Sequence, residues 1–152
     1  MASPAPPATS TAGRRWRTRA NGLTAIRLVL APLLAMAVLD GAAALAHGLF
    51  WLAVATDLAD GRVARRYGEV SAFGGLFDHA TDATFVATGL FAVACGGQVP
   101  MLLPPLVLAA FLQYTFDSRA LSGQTLRASS LGRLNGIAFF VLLGFPVVRD
   151  GL

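Results

Sequence analysis

Apolar residues along the chain gather into five blocks, over about 23–39, 42–58, 72–94, 101–116 and 134–148. Between them lie arginine-bearing connections or turn formers such as Gly96-Gly97-Gln98-Val99-Pro100. A helix rises 1.5 Å per residue, so about 20 residues cross the roughly 30 Å of hydrocarbon in a bilayer. Each block approaches that length, and the pattern predicts an all-α fold, a polytopic transmembrane helical bundle with five spans in this chain. A secretory signal peptide over the first block, cleaved after Ala35-Met36-Ala37, fits poorly. Pro32 interrupts its apolar core, Arg27 sits at its edge, and further spans follow.

The arginines orient these blocks. Arg14, Arg15, Arg17 and Arg19 precede the first, Arg62, Arg65 and Arg66 follow the second in what reads as a basic loop, and Arg119, Arg127 and Arg133 follow the fourth. The connections after the first and third blocks carry none. Such alternation follows the positive-inside rule and puts the N-terminus and both basic connections in the cytoplasm. Residues 1–13 are rich in Ala, Pro, Ser and Thr and read as disordered. The expected organisation is a disordered basic cytoplasmic arm over 1–20 and a membrane domain over 21–152.

Composition agrees with a membrane location. Apolar residues make up 55% of the chain and charged residues 13%, against roughly 25% charged in soluble domains. All twelve basic residues are arginine. A net charge of +4 and a pI near 10.6 invite a nucleic-acid reading. That reading needs the charge on one accessible face, and here it is divided among the connections, so no nucleic-acid partner is expected. Cys95 is the sole cysteine and forms no internal disulfide.

Four aspartates then change the picture. Asp57 and Asp60 are three apart at the end of the second block, and Asp78 and Asp82 are four apart near the start of the third. Those spacings put each pair on one helical face, and antiparallel neighbours bring the pairs to the same end. An aspartate at the centre of a membrane helix costs roughly 2.5–3.5 kcal/mol, and less near the interface. Clustering adds mutual repulsion, which a bound cation relieves. A carboxylate-only donor set suits hard divalent ions, Mg²⁺ or Mn²⁺. Two ions bridged by shared carboxylates, about 3.5–4 Å apart, would suit phosphoryl displacement. Gly61 and Gly74 allow close backbone approach to a ligand, and Arg65 offers a planar donor for phosphate.

The stretch reads Asp57-x2-Asp60-Gly61-x2-Ala64-Arg65-x8-Gly74-x3-Asp78-x3-Asp82. It resembles, at every fixed position, the signature of the CDP-alcohol phosphatidyltransferase family. Asn21-Gly22-Leu23-Thr24-x-x-Arg27 is similar to the family's opening N-x-[LI]-T-x-x-R, with Ala20 where proline is usual. The resemblance implies transfer of a phosphatidyl group from CDP-diacylglycerol to an alcohol acceptor, with release of CMP, in phospholipid biosynthesis. It implies metal binding by Asp57, Asp60 and Asp78, with Asp82 completing the metal site and acting as general base. It implies a CDP pocket lined by Gly61, Ala64, Arg65 and Gly74. A homodimer is implied as well, and the arginine alternation puts the active site on the cytoplasmic side of the membrane, the cytoplasmic membrane in a bacterial source.

The family has six spans, so the sixth family helix is expected to be missing from this chain. Around the last two aspartates, family members that make phosphatidylglycerophosphate or cardiolipin commonly read D-P-x-A-D-K. Here the residues are Asp78-His79-Ala80-Thr81-Asp82-Ala83, which leaves the acceptor unread. Arg119, Arg127 and Arg133 are candidate ligands for a phosphorylated acceptor, or simply topological charges. His79 reads as a hydrogen-bonded interfacial histidine, and Tyr114 as an interfacial anchor. Three other functions stay open: transfer of a CDP-linked headgroup to diacylglycerol, an inactive truncated family member, and a divalent-cation carrier. Carrier sites sit near the bilayer midplane, whereas these aspartates lie toward one end.

Overall fold

The computed structural model describes residues 19–67, 72–117 and 130–150, and the expected arm over 1–20 lies almost wholly outside them. The described residues form five α-helices: α1 (Arg19–Leu39), α2 (Ala43–Tyr67), α3 (Ala72–Cys95), α4 (Leu103–Asp117) and α5 (Ser130–Asp150). No strand occurs among them, in agreement with an all-α class.

Two glycines reverse the chain at one end of the bundle. Gly41 and Gly97 have φ of 67° and 73°, in the left-handed region that costs glycine nothing. After α1, Ala42 N–H donates to Ala37 at 2.8 Å and Gly41 N–H to Val38 at 3.2 Å. After α3, Gln98 N–H donates to Val93 at 3.3 Å and Gly97 N–H to Ala94 at 2.9 Å. Both are Schellman caps, which satisfy the last carbonyls of a helix and turn the chain back. Pro104 and Pro105 fall in the first turn of α4, where a missing N–H has no helical acceptor to lose.

The basic connection expected after the second block is not a loop. Helix α2 runs 25 residues to Tyr67 and carries Arg62, Arg65 and Arg66 on its final turns. Between Asp57 and Tyr67 no proline interrupts the chain and Gly61 is the lone glycine, which costs about 1 kcal/mol. Arg62 reaches back along the helix to the Leu58 carbonyl at 3.4 Å.

Helix α1 packs on both α2 and α3, while α3 also carries α4 and α5. Leu34, Phe85, Leu90 and Leu143 are fully buried, and Ala31, Ala37, Ala46 and Ala53 let the helices approach closely. A Cβ on Gly89 would lie 2.8 Å and 2.9 Å from the Leu143 methyls and 3.2 Å from Leu34 Cδ2. That absent side chain is what lets α5 and α1 close on α3.

Among the described residues one segment, Gly22–Leu39 of α1, is long and apolar enough by itself to cross a membrane, with mean hydropathy 2.1. Leu103–Phe116 and Gly136–Arg149 are apolar but shorter. Helices α2 and α3 have the length, and their aspartates dilute their apolar character. The exterior is rich in large apolar side chains, including Val29, Met36, Phe91, Phe116, Val141 and Phe145, each more than half exposed.

Candidate metal centre

Opposite the glycine turns, three helices bring polar side chains together. Helix α2 presents Asp57 and Asp60, and α3 presents Asp78 and Asp82. Helix α1 presents Thr24 and Arg27, again three apart and so on one face. Because α1 lies against both neighbours, its polar face meets both aspartate pairs.

Arg27 is the hub. Its guanidinium is wholly buried and ion-paired with all four carboxylates. Nη1 donates to Asp57 Oδ1 at 2.8 Å and also to Asp82 Oδ1. Nη2 donates to Asp60 Oδ2 and Asp78 Oδ1. Each terminal nitrogen therefore ties one aspartate of α2 to one of α3. Thr24 Oγ1 donates to Asp60 Oδ2 at 3.1 Å, and Asp60 is the most buried of the four, with 5% of its side chain exposed. Asp57, Asp78 and Asp82 keep 33%, 38% and 20%, so the cluster opens to one side.

The charges do not balance within the cluster. Four carboxylates against one guanidinium leave a formal charge of −3 in a partly dehydrated site, which further cations would stabilise. Asp57, Asp60 and Asp78 each place a ligand oxygen within 4.8 Å of the others. Three hard oxygen donors at that separation fit Mg²⁺ or Mn²⁺. Asp82 stands outside this trio and shares Nη1 of Arg27 with Asp57. Among the described residues two buried polar atoms, Arg27 Nε and Thr81 Oγ1, have no hydrogen-bond partner.

Gly61 and Gly74, expected to line a CDP pocket, lie between the two aspartate pairs in sequence and are half-buried on α2 and α3. Ala64 and Arg65 lie on α2, with their side chains outside the described set. Arg133 lies on α5 in the same condition, and Arg119 and Arg127 lie outside the described residues. His79 and Tyr114, read from the sequence as interfacial residues, pack together. The His79 ring sits 4.9 Å from Tyr114 and 5.2 Å from Phe111, both on α4, and so pins α4 beside Asp78. Sequence reasoning named Thr24 and Arg27 only as positions of the family's opening motif, gave neither a role in the site, and did not single out Thr81. An arginine one turn inside an apolar helix, three residues after a threonine, was the available signal.

A family model for CDP-alcohol phosphatidyltransferase matches residues 17–150. Two curated relatives, each named "Probable phosphatidylglycerophosphate synthase", come from Mycobacterium tuberculosis strains CDC 1551 / Oshkosh and ATCC 25618 / H37Rv. Each is 34% identical over 111 residues, which cover 68% of this chain and 53% of the relative. The chain thus spans about half the length of the curated relatives it matches. No solved structure matches it significantly. The match over nearly the whole chain, together with an intact eight-position signature whose aspartates converge, leads to one assignment: the chain belongs to the CDP-alcohol phosphatidyltransferase family.

Proposed function

We propose that this protein transfers a phosphatidyl group from CDP-diacylglycerol to an alcohol and releases CMP, using Asp57, Asp60 and Asp78 to hold divalent metal and Asp82 as general base. The observation that carries this reading is the convergence of both aspartate pairs on one partly open site. In the reaction the acceptor oxygen attacks the phosphatidyl phosphorus, and the phosphoanhydride bond to CMP breaks. CMP leaves with the bridging oxygen, and the hydroxyl proton passes to an Asp82 carboxylate oxygen. That transfer needs the hydroxyl within about 2.6–3.2 Å of Asp82, directly or through one water. Bound Mg²⁺ or Mn²⁺ would supply charge neutralisation at the diphosphate and at the leaving oxygen. Asp60, anchored by Thr24, holds its share of the site rigidly, while the more exposed Asp57 and Asp78 face the open side. Arg65, Gly61, Ala64 and Gly74 would receive the CDP moiety.

The setting we propose is a polytopic helical bundle in the membrane, with the metal centre on the cytoplasmic side and acyl tails left in lipid. Apolar side chains exposed on all five helices support it, as does the alternation of arginines. A homodimer belongs to the same reading. The relatives' name makes a phosphorylated glycerol the first acceptor to try, with Arg119, Arg127 and Arg133 as candidate phosphate ligands.

The test is CMP release from CDP-diacylglycerol by the detergent-purified chain, with Mg²⁺ or Mn²⁺ and a panel of plain and phosphorylated alcohols. Release that one alcohol stimulates, that chelation stops and that Asp82→Asn abolishes is the expected outcome. Metal-independent release, or full turnover in Asp82→Asn, would overturn the assignment.

A further inference from the structure

We propose that Arg27 is a resident counter-cation of the carboxylate cluster, which competes with divalent ions for the oxygens of Asp57, Asp60, Asp78 and Asp82. The inference rests on reading that cluster as a metal centre. Three observations support it. First, the guanidinium already stands where a cation would, touching one oxygen of each carboxylate, including the three that could ligate a metal together. Second, its two terminal nitrogens cross-link the helices, so the metal-free cluster is held together by Arg27 instead of flying apart by repulsion. Third, Nε is buried without a hydrogen-bond partner among the described residues, so within that set the carboxylates are what retains the head group against an ion that takes their oxygens.

Two consequences of opposite sign follow. Without Arg27 the cluster carries a formal charge of −4 and no cross-link, so the metal-free protein loses stability. The same loss removes both a competitor and a positive charge facing the incoming ion, so divalent ions bind more tightly. An arginine that only shaped the site would instead lose both stability and metal affinity on replacement. The device gives the site weak, exchangeable metal binding together with an assembled geometry before metal arrives.

The experiment uses the full chain, purified in detergent and stripped with a chelator. Free Mn²⁺ is followed by electron paramagnetic resonance during titration, and thermal unfolding is recorded with and without Mn²⁺. Arg27→Gln is expected to lower the metal-free Tm and to tighten Mn²⁺ binding by about tenfold or more, from the guanidinium–ion repulsion removed. Its Tm gain on adding Mn²⁺ should exceed that of the unmodified chain. Arg27→Lys keeps the charge but loses the planar fork, and should tighten binding by less. Should Arg27→Gln fail to fold, Arg27→Lys decides alone: weaker Mn²⁺ binding than in the unmodified chain overturns the proposal. Unchanged binding in both variants overturns it as well. Absence of Mn²⁺ binding in the unmodified chain would overturn the metal-centre reading itself, and the competition with it.

Discussion

Asp57 and Asp82 share one nitrogen of Arg27, yet only Asp57 belongs to the trio whose ligand oxygens lie within 4.8 Å. Their replacements should therefore separate. Asp57→Ala removes a donor from the trio and is expected to weaken Mn²⁺ binding by about tenfold or more. Asp82→Asn is expected to leave Mn²⁺ binding within a few-fold while CMP release disappears. Mn²⁺ titration beside a turnover assay reads both, and equal loss of metal binding in the two variants would end the division of labour. The aspartates themselves were legible in the sequence, because spacings of three and four put each pair on one helical face whatever the packing. Arg27 was legible as the last position of the family's opening motif, but not as a partner of the aspartates. Its run of neighbours allows snorkelling or a polar cavity equally, and the choice depends on which helix face is turned inward.

At the scale of elements, the five apolar blocks correspond to five helices with small shifts at their ends. The larger shift is in α2, where hydrophobicity stops near Leu58 but backbone hydrogen bonding continues to Tyr67. Apolar character reports what lies around a helix, whereas propensity decides where it ends. The close approach of α5 to α3 at Gly89 gives a second test. Gly89→Leu drives a side chain into Leu143 and Leu34 and should cost roughly 1–3 kcal/mol by overpacking. Pairing it with Leu143→Ala should recover part of that loss, so the double variant is more stable than the sum of the single effects. Thermal unfolding in detergent reads the cycle, and strict additivity would show that the two residues do not meet.

For the whole molecule, the carboxylate cluster and the two glycine turns occupy opposite ends, which makes sidedness measurable. Cys95 is exposed at the turn end of α3 and is the chain's sole cysteine, so it is a native probe. In intact cells producing the protein, a membrane-impermeant maleimide is expected to label Cys95 from outside. Labelling only after the membrane is opened or inverted would reverse the proposed orientation.

The sequence by itself determined the helical class, the rough helix positions, the aspartate pairs and the family resemblance. These follow from local rules: length against hydropathy, helical period, and fixed spacings within 26 residues. Tertiary structure alone decided that Arg27 serves all four carboxylates, that Thr24 anchors Asp60, and that His79 packs under Tyr114. Those contacts join residues 30 or more positions apart on different helices. They depend on the rotation of each helix about its own axis, which small residues such as Gly89 set by how closely they let neighbours approach.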